Sequence, residues 1–254
     1  MNRLAVTWWG HSTSTIELGG IRVLTDPVLV DRFVHLARRS PSPDASAAVA
    51  DLVLVSHLHL DHFHLPSLRR IAAGTPIVVP SASTDLLRGL DLDVHEAAPG
   101  DVLHLAGVEV QVLEADHPES RHRWSRRVSP PLGFRVVGPG DRSFWFPGDT
   151  GPRTDVSHVA PVDLALVPVG GWGPTLGEDH VDPVQAADLV AQVGARWAVP
   201  VHWGTFWPLG LGWFAPAARR YLFETPGVRF VDAMEDGSAR AVLADHGRRI
   251  SLGA

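Results

Sequence analysis

An α/β fold in a single domain spanning residues 1–254 is what the sequence predicts, on three observations. Short runs rich in β-branched residues recur along the chain with turn residues between them. Helical stretches with defined starts and stops alternate with those runs. No repeat, low-complexity tract or flexible linker divides the chain.

The first quarter reads as strand. Leu4 to Trp8, Ser14 to Leu18 and Ile21 to Thr25 are short and β-branched, and Gly19-Gly20 supplies a hairpin turn between the last two. Pro27 to Ala50, with three prolines among Ser and Ala, reads as a long loop. Asp51 to Ser56 is an apolar run of strand length, the pattern of a strand buried on both faces. A histidine-rich loop follows. Leu65 to Ala73 then reads as a helix stopping at Gly74, Ile77 to Val79 as a strand, and Ser83 as the cap of a short helix to about Gly89.

Val94 to Ala115 reads as strands broken at Pro99-Gly100 and Gly107, and Phe134 to Val137 with Ser143 to Phe146 as a hairpin around Gly138-Pro139-Gly140-Asp141. Asp163 to Val169 is another buried strand. Asp182 is a good N-cap with Pro183 at the first helical position, so Pro183 to Val193 is a helix ending at Gly194. Arg196 to Val201 is a strand, Ala215 to Phe223 a helix, and two or three strands around Asp236-Gly237 close the chain.

Composition narrows the chemistry. The absence of cysteine excludes disulfides, thiolate catalysis and zinc sites with sulfur ligands. Every basic residue is arginine, which excludes Schiff-base and lysine-nucleophile mechanisms. A net charge of −6 argues against a nucleic-acid partner and leaves a small-molecule substrate as the expectation. No apolar run approaches the ~18–20 residues needed to span a bilayer. The start of the chain lacks a signal peptide's apolar core, which predicts a cytoplasmic protein.

The 14 histidines carry the strongest signal. Directly after the buried strand lies Ser56-His57-Leu58-His59-Leu60-Asp61-His62-Phe63-His64, with the core pattern His-x-His-x-Asp-His. Alternate positions after a strand point His57 and His59 to one side, while Asp61 and His62 turn toward a second point. Four such donors are too many for one tetrahedral ion that keeps a water position, and they fit two adjacent ions.

This motif and its downstream companions resemble the metallo-β-lactamase superfamily, over nearly the whole chain. Ala115-Asp116-His117 resembles the family's third metal-binding motif, Phe146-Pro147-Gly148-Asp149-Thr150-Gly151 the fourth, and Pro200-Val201-His202-Trp203-Gly204-Thr205 the fifth. The resemblance implies a four-layer αββα sandwich with a two-metal site at one sheet edge. It also implies that His57, His59 and His117 hold one ion, that Asp61, His62 and His202 hold the other, and that Asp149 bridges them. Zinc is the first expectation for the two divalent ions, with manganese or iron as alternatives.

Trp8-Trp9-Gly10-His11-Ser12-Thr13 and Leu24-Thr25-Asp26-Pro27 are similar to the branch containing N-acyl-phosphatidylethanolamine phospholipase D and ascorbate-6-phosphate lactonase, as is His180-Val181-Asp182-Pro183. That likeness implies Asp26 behind the metal site and His180 facing the substrate. His11 is either a residue of this surround or a histidine bonded to a backbone carbonyl. The chain departs from the branch after His117, where four arginines occur between Arg121 and Arg127. Arg121 and its neighbours either clamp an anion or form a charged loop, and His122 competes with His117 as a ligand. A late aromatic group, Trp172, Trp203, Trp207, Trp213 and Phe214, either lines a pocket, covers the site as a lid, forms a subunit contact in a homo-oligomer, or is ordinary packing.

The activity implied is a metal-dependent hydrolase cleaving a phosphodiester, a lactone or another ester by attack of a hydroxide held between the ions. Asp61 would orient that nucleophile and His180 would act as acid or oxyanion donor. An iron-dependent redox enzyme on the same fold, or a β-lactam hydrolase, is the alternative.

Overall fold

The computed structural model describes residues 4–122, 124–171, 176–210, 215–235 and 237–253. Its strands are Leu4–Gly10 (β1), Thr13–Leu18 (β2), Ile21–Thr25 (β3), Arg32–Phe33 (β4), Leu36–Arg38 (β5), Leu52–Leu54 (β6), Pro76–Pro80 (β7), Asp93–Ala97 (β8) and Val102–Leu105 (β9). They continue with Val108–Glu114 (β10), Leu132–Val137 (β11), Ser143–Phe146 (β12), Leu164–Pro168 (β13), Trp197–Val201 (β14), Phe206–Pro208 (β15), Arg240–Ala241 (β16) and Arg249–Leu252 (β17). The α-helices are Leu65–Leu68 (α1), Pro183–Val193 (α2), Pro216–Arg219 (α3) and Pro226–Ala233 (α4).

Two seven-stranded sheets, ordered β17-β1-β2-β3-β6-β7-β8 and β16-β14-β13-β12-β11-β10-β9, form the body. Each has an antiparallel half and a parallel half. One apolar core lies between them, joining Val6, Ile16 and Leu54 of the first sheet to Val110, Phe134, Phe146 and Leu166 of the second. A second core packs the outer face of the second sheet against α2 and α4, through Val167, Val190 and Phe230. A third covers the outer face of the first sheet with Leu29, Phe63, Leu68 and Leu87. The layers are therefore the αββα sandwich that the resemblance implies. The strands buried on both faces are the continuous apolar runs of the sequence.

The best-defined helix forms as its sequence predicts. Asp182 accepts the N–H groups of Val184 and Gln185 at 2.8 and 2.9 Å, Gln185 returns a bond to the Asp182 N–H, and Gly194 ends the helix at φ 68°.

Elsewhere the structure corrects the sequence reading. The loop over 27–50 contains β4, β5 and a 3₁₀ turn at Ala45–Ala48, and β5 pairs with β15 in a small third sheet. Two- and three-residue strands carry no readable alternation. Buried Arg38 fixes them instead, donating to the carbonyls of Trp9, Val28 and Val30 at 3.0, 2.7 and 3.1 Å. The helix expected to Ala73 ends at Leu68, where bonds from Arg70 to Ser67 and Ile71 to Leu68 tighten the chain.

Ser83 does not cap with its side chain, which donates to the Pro80 carbonyl; Glu96 of β8 takes the Ser83 and Thr84 N–H groups at 2.8 and 2.7 Å. The helix beginning at Pro216 widens to a π turn over Arg220–Glu224. The closing segment holds α4 as well as strands, and Asp236 lies outside the described residues.

Candidate metal centre

Strand direction gathers the site. β1, β3 and β6 run one way in the first sheet, and β10, β12, β13 and β14 share one direction in the second. Their C-terminal ends lead directly to His11, Asp26, His57, His117, Asp149, Gly170 and His202, residues far apart in sequence. The two sheets are stitched at this edge by His11, whose carbonyl accepts the His202 N–H at 2.9 Å and the Trp8 indole N–H at 2.8 Å. His11, Asp26 and His202 have φ of 53°, 34° and 62°. Such conformations are unfavourable for residues with a Cβ and persist where the surroundings over-determine them, often at functional sites.

Two sets of ligand-type atoms converge. In the first, His59 Nδ1 lies 3.0 Å from His57 Nε2 and 3.2 Å from His117 Nε2. In the second, Asp149 Oδ2 lies 3.2 Å from His62 Nε2 and 3.0 Å from His202 Nε2. Asp61 Oδ2 stands 3.8 and 3.9 Å from the same two nitrogens. Asp149 also groups with His117 and His180 within 4.8 Å, so its carboxylate stands between the sets.

The far ring nitrogens settle the tautomers. His62 Nδ1 donates to Asp26 at 2.6 Å, His117 Nδ1 to the Asp179 carbonyl at 3.0 Å, and His202 Nδ1 to the Gly170 carbonyl at 2.7 Å. Each bond turns Nε2 inward, with the usual outer partner of a metal-ligating histidine. His62 Nε2, His202 Nε2 and Asp149 Oδ1 are buried with no hydrogen-bond partner of suitable geometry. These three atoms converge without hydrogen bonds of suitable geometry, an arrangement that fits a cation, and the nitrogen and oxygen donors suit divalent ions.

The surroundings of these converging atoms are equally specific. Asp26, fully buried, takes the Ser56 N–H and hydroxyl at 2.7 and 2.6 Å while holding His62. His11 Nε2 meets Asp61 Oδ2 at 3.0 Å. His180 Nε2 is 3.4 Å from Asp149 Oδ2, with its ring against Gly171. Arg121 donates to the Leu58 carbonyl at 3.1 Å and lies over the Phe63 ring at 5.3 Å, which braces the histidine loop.

Arg127 turns away to a bidentate pair with Asp85, and Arg123 lies outside the described residues. His122 lies apart from the ligand set and accepts the Trp124 N–H. Trp203 packs behind His202, stacked on Trp8 at 5.5 Å, and Trp207 packs with Leu222 and Phe223. Trp172, Trp213 and Phe214 lie outside the described residues. Ser56, Thr205 and Gly148 support the site without a sequence signal of their own. Thr205 accepts the His11 N–H at 2.7 Å.

Gly148 gives a direct test of this packing. Its φ is 68°, and a Cβ there would meet the Ser56 Cβ at 2.6 Å. Gly148→Ala should destabilise the protein by about 1–3 kcal/mol and weaken metal binding through displaced Ser56 and Asp26. Denaturant melts and metal titration of the variant check both effects.

Charge and burial compete here. Burial pushes His11 and His117 down to about 4, and burial with the nearby Arg38 charge does the same to His246. Burial also lowers His57, His59 and His64. Burial opposes charge on His62 and His180 too, but Asp149 beside both overrides it and raises them. Burial would raise Asp61 and Asp149, yet the imidazoles around them hold both well below the usual carboxylate range.

For a lowered histidine the unfolded chain takes up its proton first as pH falls. The raised imidazoles are protonated in both states below about pH 6.5, so only the lowered ones act there, and the metal-free protein should lose stability between about pH 6.5 and 4. Thermal melts across that window test this, and a melting temperature that rises toward acid contradicts it.

A family model described as a beta-lactamase superfamily domain matches residues 21–203. An uncharacterised protein of Mycobacterium tuberculosis is 33% identical in an alignment of 242 residues, covering 86% of this chain and 63% of that one. An N-acyl-phosphatidylethanolamine-hydrolyzing phospholipase D of Caenorhabditis elegans is 31% identical over 268 residues, covering 92% of this chain and 71% of that protein. A UPF0173 metal-dependent hydrolase of Nitratidesulfovibrio vulgaris is 32% identical over 210 residues, covering 79% and 80%. The chain thus spans less than two thirds of the mycobacterial relative's length. Among solved structures, Igni18, a metallo hydrolase from Ignicoccus hospitalis, has a TM-score of 0.74 over 99% of both chains at 19% identity, a likeness of fold.

Proposed function

The chain belongs to the metallo-β-lactamase superfamily of metal-dependent hydrolases, and on that premise we propose that its histidine–aspartate cluster holds two divalent ions and hydrolyses a small phosphodiester, lactone or other ester. One observation carries the reading: the Asp149 carboxylate stands within ligand reach of both converging sets. His57, His59 and His117 would hold one ion and Asp61, His62 and His202 the other, with Asp149 shared. Zinc suits this donor set first, and the lack of sulfur also admits manganese or iron.

Bound there, the ions would supply Lewis acidity and bring a water's proton loss toward neutral pH. The chain's residues do the rest. Asp61, anchored by His11 at 3.0 Å, presents a carboxylate that can hold an attacking water by one of its hydrogens. Asp61 and His180 both line the cleft where a substrate would sit. His180 Nε2, near Asp149, is placed to donate a proton to the departing oxygen or a hydrogen bond to a developing oxyanion. Water's oxygen adds to phosphorus or carbonyl carbon while Asp61 can take the proton it gives up, the ester bond breaks, and the leaving oxygen departs with the proton from His180.

Purified protein stripped by a chelator, then assayed with zinc or manganese against a phosphodiester and lactone panel, tests the reading. Turnover should vanish on stripping and return with metal. Full turnover by the stripped protein would overturn it.

A further inference from the structure

Beside the cluster opens a cavity of about 350 Å³ whose walls differ sharply from its floor. The floor carries His59, Asp61, Asp149 and His180. One wall is the β4–β5 hairpin with Phe33, Val34, His35 and Leu36, and Leu60 and His122 stand in the same lining. Phe33 and Leu36 are anchored in a small core with Val28 and Phe206. Val34 and Leu60 are instead 76% and 37% exposed.

Val34 is the most telling residue. It sits at a hairpin tip with φ of 50°, a place where Asn, Asp or Gly is the unstrained choice. A β-branched side chain there is disfavoured both by its backbone and by its contact with water. Leu60 likewise places an apolar side chain at the mouth between two ligand-type residues. Arg121 closes another side, half-buried, and its hydrogen bonds among the described residues go to carbonyl oxygens.

We propose that this cavity is a binding compartment for the apolar substituent of a compact anionic substrate, whose hydrolysable group lies on the floor. The inference rests on the hydrolase reading above and adds the substrate class. About 350 Å³ is many times the space that one water requires, and it gives room for a short alkyl or aryl group. The guanidinium of Arg121 favours a negative charge beside that group.

Linear alkylphosphonates from methyl to hexyl, titrated into the zinc-loaded protein by calorimetry, test the compartment. The dissociation constant should fall about fourfold per added methylene over the first few carbons, then level as the cavity fills. Val34→Asn, which suits the same backbone, and Leu60→Gln should each remove much of the gain from methyl to butyl, with zinc content measured alongside. A flat series in the wild type, a series that fails to bind, or an undiminished gain in both variants overturns the proposal. Methylphosphonate that binds equally with and without zinc instead counts against the metal reading, while the chain-length dependence still decides the compartment.

Discussion

Asp149→Ala is expected to strip metal from the centre and to cut turnover by about three orders of magnitude or more. The Asp149 carboxylate meets His62 and His202 and groups with His117 and His180, and no other carboxylate among the described residues does both. Its removal would leave two cations without the shared negative charge between them, and the stabilisation lost is several kcal/mol. Asp26→Ala makes the informative contrast. Asp26 touches His62 and Ser56 rather than the centre itself, so losses in metal affinity or activity should run ~10–100-fold. The same variant should cost about 3 kcal/mol of stability, because the Ser56 N–H and hydroxyl and His62 Nδ1 lose a buried acceptor together. Metal analysis and denaturant melts of the two variants separate the roles, and equal metal loss in both would contradict the bridging position of Asp149.

His180→Ala should keep its fold and both ions yet lose ~10²–10³ in turnover, the usual cost of an acid catalyst or oxyanion donor. His180 lies 3.4 Å from Asp149 and forms part of the cavity floor. It also stands within ligand reach of His117, so the experiment distinguishes two roles for one imidazole. Intact metal with depressed turnover supports proton or hydrogen-bond donation. Metal loss would make His180 a ligand, and near wild-type turnover would make it structural.

The site was legible where chemistry concentrates in short stretches. His57, His59, Asp61 and His62 stand within six positions after a strand whose apolar run marks it as buried. His117, Asp149 and His202 were readable only through their resemblance to the family's downstream motifs, taken jointly and in order, since a lone residue after a strand carries little signal by itself. What the sequence does not carry is long-range support. Nothing around Arg38 shows that its guanidinium would gather the carbonyls of Trp9, Val28 and Val30 and so build the hairpin that walls the cavity. The Ser83 cap failed for a similar reason, since Glu96 on a neighbouring strand supplies the acceptor that local pattern assigned to the serine. Helix α4 escaped notice because Pro226 and Gly227 open it, residues that usually mark a turn, and Gly227 is required there by the Trp203 ring lying against it.

Metal stoichiometry is the measurement closest to the central claim. Zinc titrated into fully stripped protein, with bound metal counted per chain after removal of excess, should saturate at two ions. A protein that saturates at one ion, or binds none tightly, would contradict the two-ion centre proposed for His57, His59, Asp61, His62, His117, Asp149 and His202.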